Sequence, residues 1–184
     1  MTRELAGQHP VAKNSFQSML DAEPSADAIL ACLESLCAKT RPYPIKEFVF
    51  CGAGEPLVRL DVVVTVSQWL KSRDFKVRIN TNGHALLMHG SAAVETIQEI
   101  TDAISISLNA HNRTIYNRIS NPAAQEASYP SLLVFAEQCA KSIPEVTLSA
   151  VSLRPKEKAA IRDSIDLDAC AKISEAIGVR FRIR

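Results

Sequence analysis

From about residue 24 onward, apolar positions alternate between short stretches with a period near two and longer ones with a period near 3.6. Ser25 is placed to cap a helix whose stripe is Ile29, Leu30, Leu33 and Leu36; it runs to about Lys39 and stops at Arg41-Pro42-Tyr43-Pro44. A strand at 47–51 follows, then a helix from Leu60 to Ser72 with Leu60, Val63, Val64, Ser67 and Leu70 on one side. The pattern continues with a strand from Lys76 to Asn80, a Thr81-Asn82-Gly83 turn, a helix from Ala92 to Ile100 and a strand from Ala103 to Leu108. Asn109 to Arg118 opens a polar loop and a short helix. Beyond it come a helix from Pro130 to Ser142, a strand from Val146 to Val151 and a polar loop at 152–165. A helix from Asp166, closed by Gly178, leads to a last strand at 179–183. Residues 1–23 show no steady period and form an N-terminal arm or loop ahead of one domain over 24–184.

Five strands alternating with helices imply right-handed βα units on a parallel sheet. Side chains one apart in a strand point to opposite faces, so each strand can be sorted into two rows. Ile104, Ile106 and Leu108 oppose Ser105, Ser107 and Asn109, and Val77 and Ile79 oppose Arg78 and Asn80. Val146, Leu148 and Ala150 oppose Thr147 and Ser149, and Val179, Phe181 and Ile183 oppose Arg180, Arg182 and Arg184. A sheet covered by helices on both faces would be apolar in both rows. One apolar and one polar row instead predict an α/β fold of partial TIM-like (βα) barrel type with a wet inner face; a one-sided sheet whose polar row meets solvent is the alternative. In such a barrel the site belongs at the C-terminal strand ends, where Gly52 to Glu55, Asn80 to Gly83 and Asn109 all fall.

The stretch that focuses this expectation is Phe48 to Pro56, Phe-Val-Phe-Cys-Gly-Ala-Gly-Glu-Pro, a buried strand breaking into two glycines, a carboxylate and a proline. Gly52 and Gly54 permit positive φ and close approach of a ligand to the backbone, and Glu55 stands where it can meet an ammonium group. Arg180, Arg182 and Arg184 on one face of the last strand would repel one another without anionic partners and so favour an acidic or phosphorylated substrate.

Composition narrows the field. The chain has 184 residues, 47% of them hydrophobic, enough for one real core. A formal net charge of +1 gives no general field for nucleic acid or a membrane surface. Met1 to Lys13 lacks the apolar core of a signal peptide and no stretch reaches membrane-spanning length, so a cytoplasmic location is expected. Cysteines 32, 37, 51, 139 and 170 are scattered, as are histidines 9, 84, 89 and 111; no spacing suits a metal, and the thiols are expected to be free and at least half-buried.

The chain resembles the radical S-adenosylmethionine (radical SAM) superfamily, and within it the TatD-associated radical SAM proteins. The resemblance rests on Phe50 to Asp61, Val77 to Ala85, Met88-His89-Gly90, Ile104 to Ala110 with Tyr116, Glu145 to Val151 and Ala176 to Arg184, in order across roughly 24–184. It implies strands two to six of a (βα)6 barrel that binds S-adenosylmethionine over a 4Fe-4S cluster and forms a 5'-deoxyadenosyl radical. In that family the loop matched by Gly52, Ala53, Gly54, Glu55 and Pro56 holds the methionyl ammonium through backbone carbonyls and the carboxylate. Asn82, Ser107 and Asn109 match strand-end positions that contact the ribose and carboxylate of the cofactor. Arg78, Arg180 and Arg182 stand as substrate-side candidates.

The family's cluster ligands, Cys-x3-Cys-x2-Cys after the first strand, occur nowhere in this sequence. The implied picture is a core lacking its first strand and cluster loop, supplied by an upstream segment or a companion chain and inactive in radical chemistry by itself. The alternatives are a noncatalytic relative binding S-adenosylmethionine or another anionic ligand, and a barrel enzyme acting on phosphorylated metabolites. The Phe48 strand would then be an edge needing cover from the arm or a partner.

Overall fold

The structure is a computed structural model describing residues 23–39, 45–52, 54–152 and 165–184. The chain divides into two compact units, Met1–Pro42 and Tyr43–Arg184. The expected arm and most of the 152–165 loop lie outside the described residues.

In the first unit the described part is helix α1, Ala26–Lys39. Ser25 Oγ accepts from Ala28 N–H at 3.2 Å, the expected cap. Its half-buried stripe is Ile29, Leu30, Leu33 and Cys37. Leu36, expected in that stripe, is 44% exposed; it lies at the stripe's edge, about 20° outside Ile29.

The second unit is a five-stranded parallel sheet, β1 Glu47–Phe50, β2 Lys76–Thr81, β3 Ala103–Ser107, β4 Glu145–Ala150 and β5 Arg180–Ile183, in the spatial order 1-2-3-4-5. Between the strands lie α2 Leu60–Lys71, α3 Ala85–His89, α4 Ala92–Ile100, α5 Arg113–Ser120, α6 Ser128–Ser142 and α7 Leu167–Ile177. Each crossover advances by one strand in the same direction. With right-handed connections that places every crossover on one face, the arrangement of a (βα) barrel rather than of a doubly wound sheet. β1 and β5 are not paired with each other, so the barrel is partial.

Register keeps the two rows apart. Phe48 pairs with Val77, Ile79 with Ile104, Ile104 with Val146 and Leu148 with Phe181, forming the helix-facing apolar row. Ile79, Ile104, Ile106 and Leu148 are at most 1% exposed, and burial of each is worth about 1.5–3 kcal/mol. Helices α4 and α6 supply Ile97, Leu132 and Phe135 to the same core. The opposite row reads Val49↔Arg78↔Ala103 and Ser107↔Ser149↔Arg182. Ser105 and Ser149 there are 5% and 0% exposed, whereas Val49, Arg180 and Arg182 on the outer strands are exposed. The polar row is therefore sheltered over β3 and β4 rather than evenly bathed by solvent, as an inner barrel face requires.

Element ends follow local chemistry. Asn112 and Asp166 cap α5 and α7 through 2.9 Å bonds from Ile115 N–H and Ala169 N–H, and Gly178, at φ +80°, closes α7 as expected. Asp102 joins the start of β3 to its neighbours, accepting from Lys71 Nζ at 2.9 Å and Val77 N–H at 2.8 Å. Burial pushes its carboxyl up, but those two donors outweigh it and hold the group below its ordinary value. Most element ends lie within two residues of expectation, and two differences bear on the site. β3 ends at Ser107 rather than Leu108, because Asn109 turns to φ +55°, and α3 occupies what the sequence showed as loop around His84 and His89. Cys32 and Cys51 are exposed, against the expectation of sheltered thiols, while Cys139 and Cys170 are buried. No helix of the described residues is long and apolar enough to cross a membrane.

Burial raises Cys139 from 9.0 to about 12, Cys170 from 9.0 to about 11, and Tyr116 and Tyr129 from 10.0 to about 12. The folded chain therefore keeps these protons to higher pH than the unfolded chain does, so their contribution is complete below about pH 9 and declines as pH rises toward about 12. Denaturant unfolding at a series of pH values should show a plateau and then this loss; a stability that holds steady to pH 12 would contradict the burial of these groups.

Candidate functional site

β1 ends at Phe50, and Cys51 and Gly52 leave the sheet at its C-terminal edge. Glu55 then caps a short 3-10 helix, Pro56–Arg59, with Pro56 at its first position, where the missing N–H costs nothing. Its carboxylate is the centre of the local network. Oε1 accepts from Leu57 N–H at 3.1 Å and from Thr81 Oγ1 at 2.7 Å, and Oε2 accepts from Asn82 N–H at 2.6 Å. Thr81 Oγ1 in turn accepts from Gly83 N–H at 3.0 Å, and Asn82 Oδ1 accepts from His84 N–H at 2.9 Å. The loop after β1 is thus tied to the turn after β2. A carboxylate oxygen has two acceptor sites, so Oε1 is filled and Oε2 keeps one open.

Around this network lies a cleft of about 260 Å³ lined by Cys51, Gly52, Gly54, Glu55, Asn80, Thr81, Asn82, Ser107 and Arg184. It brings together five expected residues, Gly52, Gly54, Glu55, Asn82 and Ser107, at the strand ends where a barrel site belongs. Ala53 lies outside the described residues. Asn109 does not line the cleft; its N–H donates to the Ser149 carbonyl at 3.1 Å and its Oδ1 is buried with no partner. Asn80 Oδ1 is likewise buried and unpaired. A buried amide oxygen without a donor is unfavourable by about 1–3 kcal/mol, and Asn80 Oδ1 is one that stands in the cleft lining, open to a donor.

The glycines have a different basis from the one expected. Positive φ occurs at Gly83, Gly90 and Gly178, not at Gly52 or Gly54. A Cβ added at Gly54 would meet nothing within 4 Å, and one at Gly52 would make only an ordinary 3.8 Å contact. The fold demands neither glycine, which leaves bare backbone beside the cleft. Gly83 is the opposite case, with φ +84° and a Cβ position 2.9 Å from Ile106 Cγ2 and Leu132 Cγ.

The substrate-side arginines do not converge. Arg78 pairs with Glu47, and Arg180 with Glu145 at 2.7 Å. Arg182 is exposed and, like those two, does not line the cleft. The cleft cation is Arg184, whose Nη2 donates to Ser107 Oγ at 3.0 Å. Arg184 was expected only as one of three arginines on the last strand, and Asn80 and Thr81 only within the strand-end stretch Asn80 to Gly83; none was singled out as a cleft contact. Their signal was position, since each stands at a C-terminal strand end. His84 and His89 also separate: His84 Nε2 lies 2.9 Å from Tyr116 Oη, and His89 Nε2 donates to the Leu57 carbonyl at 2.5 Å. Burial pushes the His84 imidazole below its ordinary value of 6.5. Among the described residues no group of three His, Cys, Asp or Glu could hold a metal.

No family model matches the chain, and no curated protein matches it. Among solved structures the chain is similar to a domain of pyruvate-formate lyase-activating enzyme from Bacteroides vulgatus ATCC 8482, with 13% identity, a TM-score of 0.49, and coverage of 76% of this chain and 99% of that one.

Two predictions separate framework from site. Gly83→Ala should cost about 2–5 kcal/mol, from backbone strain and overpacking, while Gly54→Ala should change stability by less than about 1 kcal/mol. Thr81→Val, which deletes the Glu55 donor and the Gly83 acceptor, should cost about 1–3 kcal/mol. Urea unfolding of the three variants checks both; equal losses at Gly83 and Gly54 would remove the distinction.

Proposed function

We propose that this chain is a radical SAM-type core of the TatD-associated kind that binds S-adenosylmethionine at the cleft between β1, β2 and β3. The observation that carries the reading is the pair of glycines, Gly52 and Gly54, that the backbone does not require, set beside a carboxylate with one open acceptor site. Bare backbone together with an anchored carboxylate suits the ammonium end of an amino-acid ligand. Glu55 Oε2 and the carbonyls of Gly52 and Gly54 would hold that ammonium, with Asn82 and Ser107 as further polar contacts; Asn109 is not in the cleft lining. About 260 Å³ is below the roughly 300 Å³ usual for an enclosed ligand, so the methionyl end is the part the cleft can surround.

The cluster does not fit this chain. Its five cysteines, 32, 37, 51, 139 and 170, contain no three-thiolate spacing, and Cys139 and Cys170 are held as neutral buried thiols. Three thiolates would have to come from outside these 184 residues, from a companion chain or a further segment. The activity assigned to the chain itself is therefore binding, without a step through the cluster. The reading as a barrel enzyme for phosphorylated metabolites needs Arg180, Arg182 and Arg184 to act together, and the Arg180–Glu145 pair removes one of them.

Calorimetry with S-adenosylmethionine tests the proposal. The unmodified chain should bind saturably without bound iron, and Gly54→Ala and Asn82→Ala should each weaken binding about tenfold or more while the melting curve of Gly54→Ala stays in place. Absence of binding, or binding indifferent to both changes, rules the proposal out.

A further inference from the structure

The inner face carries four arginines, and their surroundings differ. Arg78 and Arg180 are matched by Glu47 and Glu145 across neighbouring strands. Arg182 is exposed away from the cleft. Arg184 lines the cleft, and among the described residues no carboxylate lies within ion-pairing distance of it. Its backbone is fixed on both sides, since its N–H donates to the Ala150 carbonyl at 2.8 Å and its carbonyl accepts from Ser152 N–H at 2.7 Å. Its side chain crosses β4 to reach Ser107 on β3. The residue paired with Ser107 on β4 is Ser149, small and fully buried, which leaves room for that crossing.

The cleft's hydrogen-bonding capacity is also uneven. Its acceptors are divided: Glu55 Oε1 holds two donors and Asn82 Oδ1 holds His84 N–H, while Glu55 Oε2 keeps one site and Asn80 Oδ1 is unpaired, both on the β1–β2 side. Its donors are largely free. Arg184 uses one of five N–H groups on Ser107, the Ser107 hydroxyl proton remains to be given, and so does the Asn82 amide NH2. Thr81, 3% exposed, forms the floor on the Glu55 side, whereas Arg184 is exposed at the mouth. An ammonium suits the first position and an oxyanion the second.

We infer that Arg184, with Ser107, is the oxyanion-binding point of this cleft and takes the carboxylate or phosphate group of a small-molecule substrate. This rests on the reading of the cleft as a ligand site and adds the class of its second ligand. A planar guanidinium held at its backbone and aimed by Ser107 suits two-point recognition of such a group.

The test is an amide-resonance titration of the full chain with inorganic phosphate and, separately, with acetate, each repeated in the presence of saturating S-adenosylmethionine. At least one anion should shift the Ser107 and Asn82 amides saturably, and the tighter of the two names the group. Arg184→Gln should weaken that binding about tenfold or more, Arg184→Lys by less, and Arg182→Gln by no more than about twofold. Undisturbed Ile79 and Ile104 amides would show that each variant is folded. The inference is overturned if neither anion binds, if Arg184→Gln has no effect, or if Arg182→Gln has an equal one, which would indicate a general positive field. It is also overturned if S-adenosylmethionine displaces the anion, since the point would then belong to that ligand's own carboxylate. If S-adenosylmethionine fails to bind while the Arg184-dependent anion response persists, the cofactor reading falls and this one stands.

Discussion

The Glu55 carboxylate is the constraint on which the rest of the site depends. It caps the turn that begins at Pro56, takes the Thr81 hydroxyl and takes the Asn82 N–H, so one side chain fixes two consecutive strand-end loops relative to each other. All three donors are internal, and two are backbone amides that have no helix or strand partner at those positions. Without the carboxylate these donors would sit partly buried and unmatched. The same group that could face a ligand is therefore also a piece of framework, and loss of Glu55 would confound binding with folding. Gly54 and Asn82 are the cleaner probes for that reason.

The sheet solves a second problem, keeping one face dry and the other polar within one parallel layer. Helices on a single side bury Ile79, Ile104, Ile106 and Leu148, while the other side carries serine, threonine, asparagine and arginine. Charges on that side are balanced at the N-terminal strand ends, by Glu47 with Arg78 and Glu145 with Arg180, and left unbalanced at the C-terminal end, where Arg184 sits. A field that is neutralised away from the cleft and open at its mouth concentrates attraction where a ligand enters.

Much of this was legible from residue order. The alternation of Ile104 and Ile106 with Ser105 and Ser107 gave both the strand and its two faces, and Gly178 and Ser25 marked helix ends because their chemistry is local. The errors arose where conformation depends on distant groups. Leu108 and Asn109 continue the alternation on paper, yet Asn109 turns left-handed and gives its N–H to Ser149 on the next strand. Helix α3 is only five residues long, too short for any period to show. Gly52 and Gly54 looked like turn glycines, and only the coordinates separate a glycine required by φ from one with open space in place of its side chain. Arg184 was read as one of a cluster of three, because sequence gives the parity of a row but not which of its members already has a counterion.

The strand order has a consequence for how the molecule comes into being. Every strand pairs only with those immediately before and after it in the chain, so no ladder has to wait for a distant segment to be made. Loops closed between consecutive strands span some tens of residues, and the entropy of closing them grows only slowly with length. A chain emerging from the ribosome can thus lay down β1 with β2, then add β3, β4 and β5 in turn, each new strand finding its partner already in place. The Glu55 link to Thr81 and Asn82 forms with the first of these pairings, so the cleft acquires its floor before Arg184, just after β5, arrives to complete the mouth.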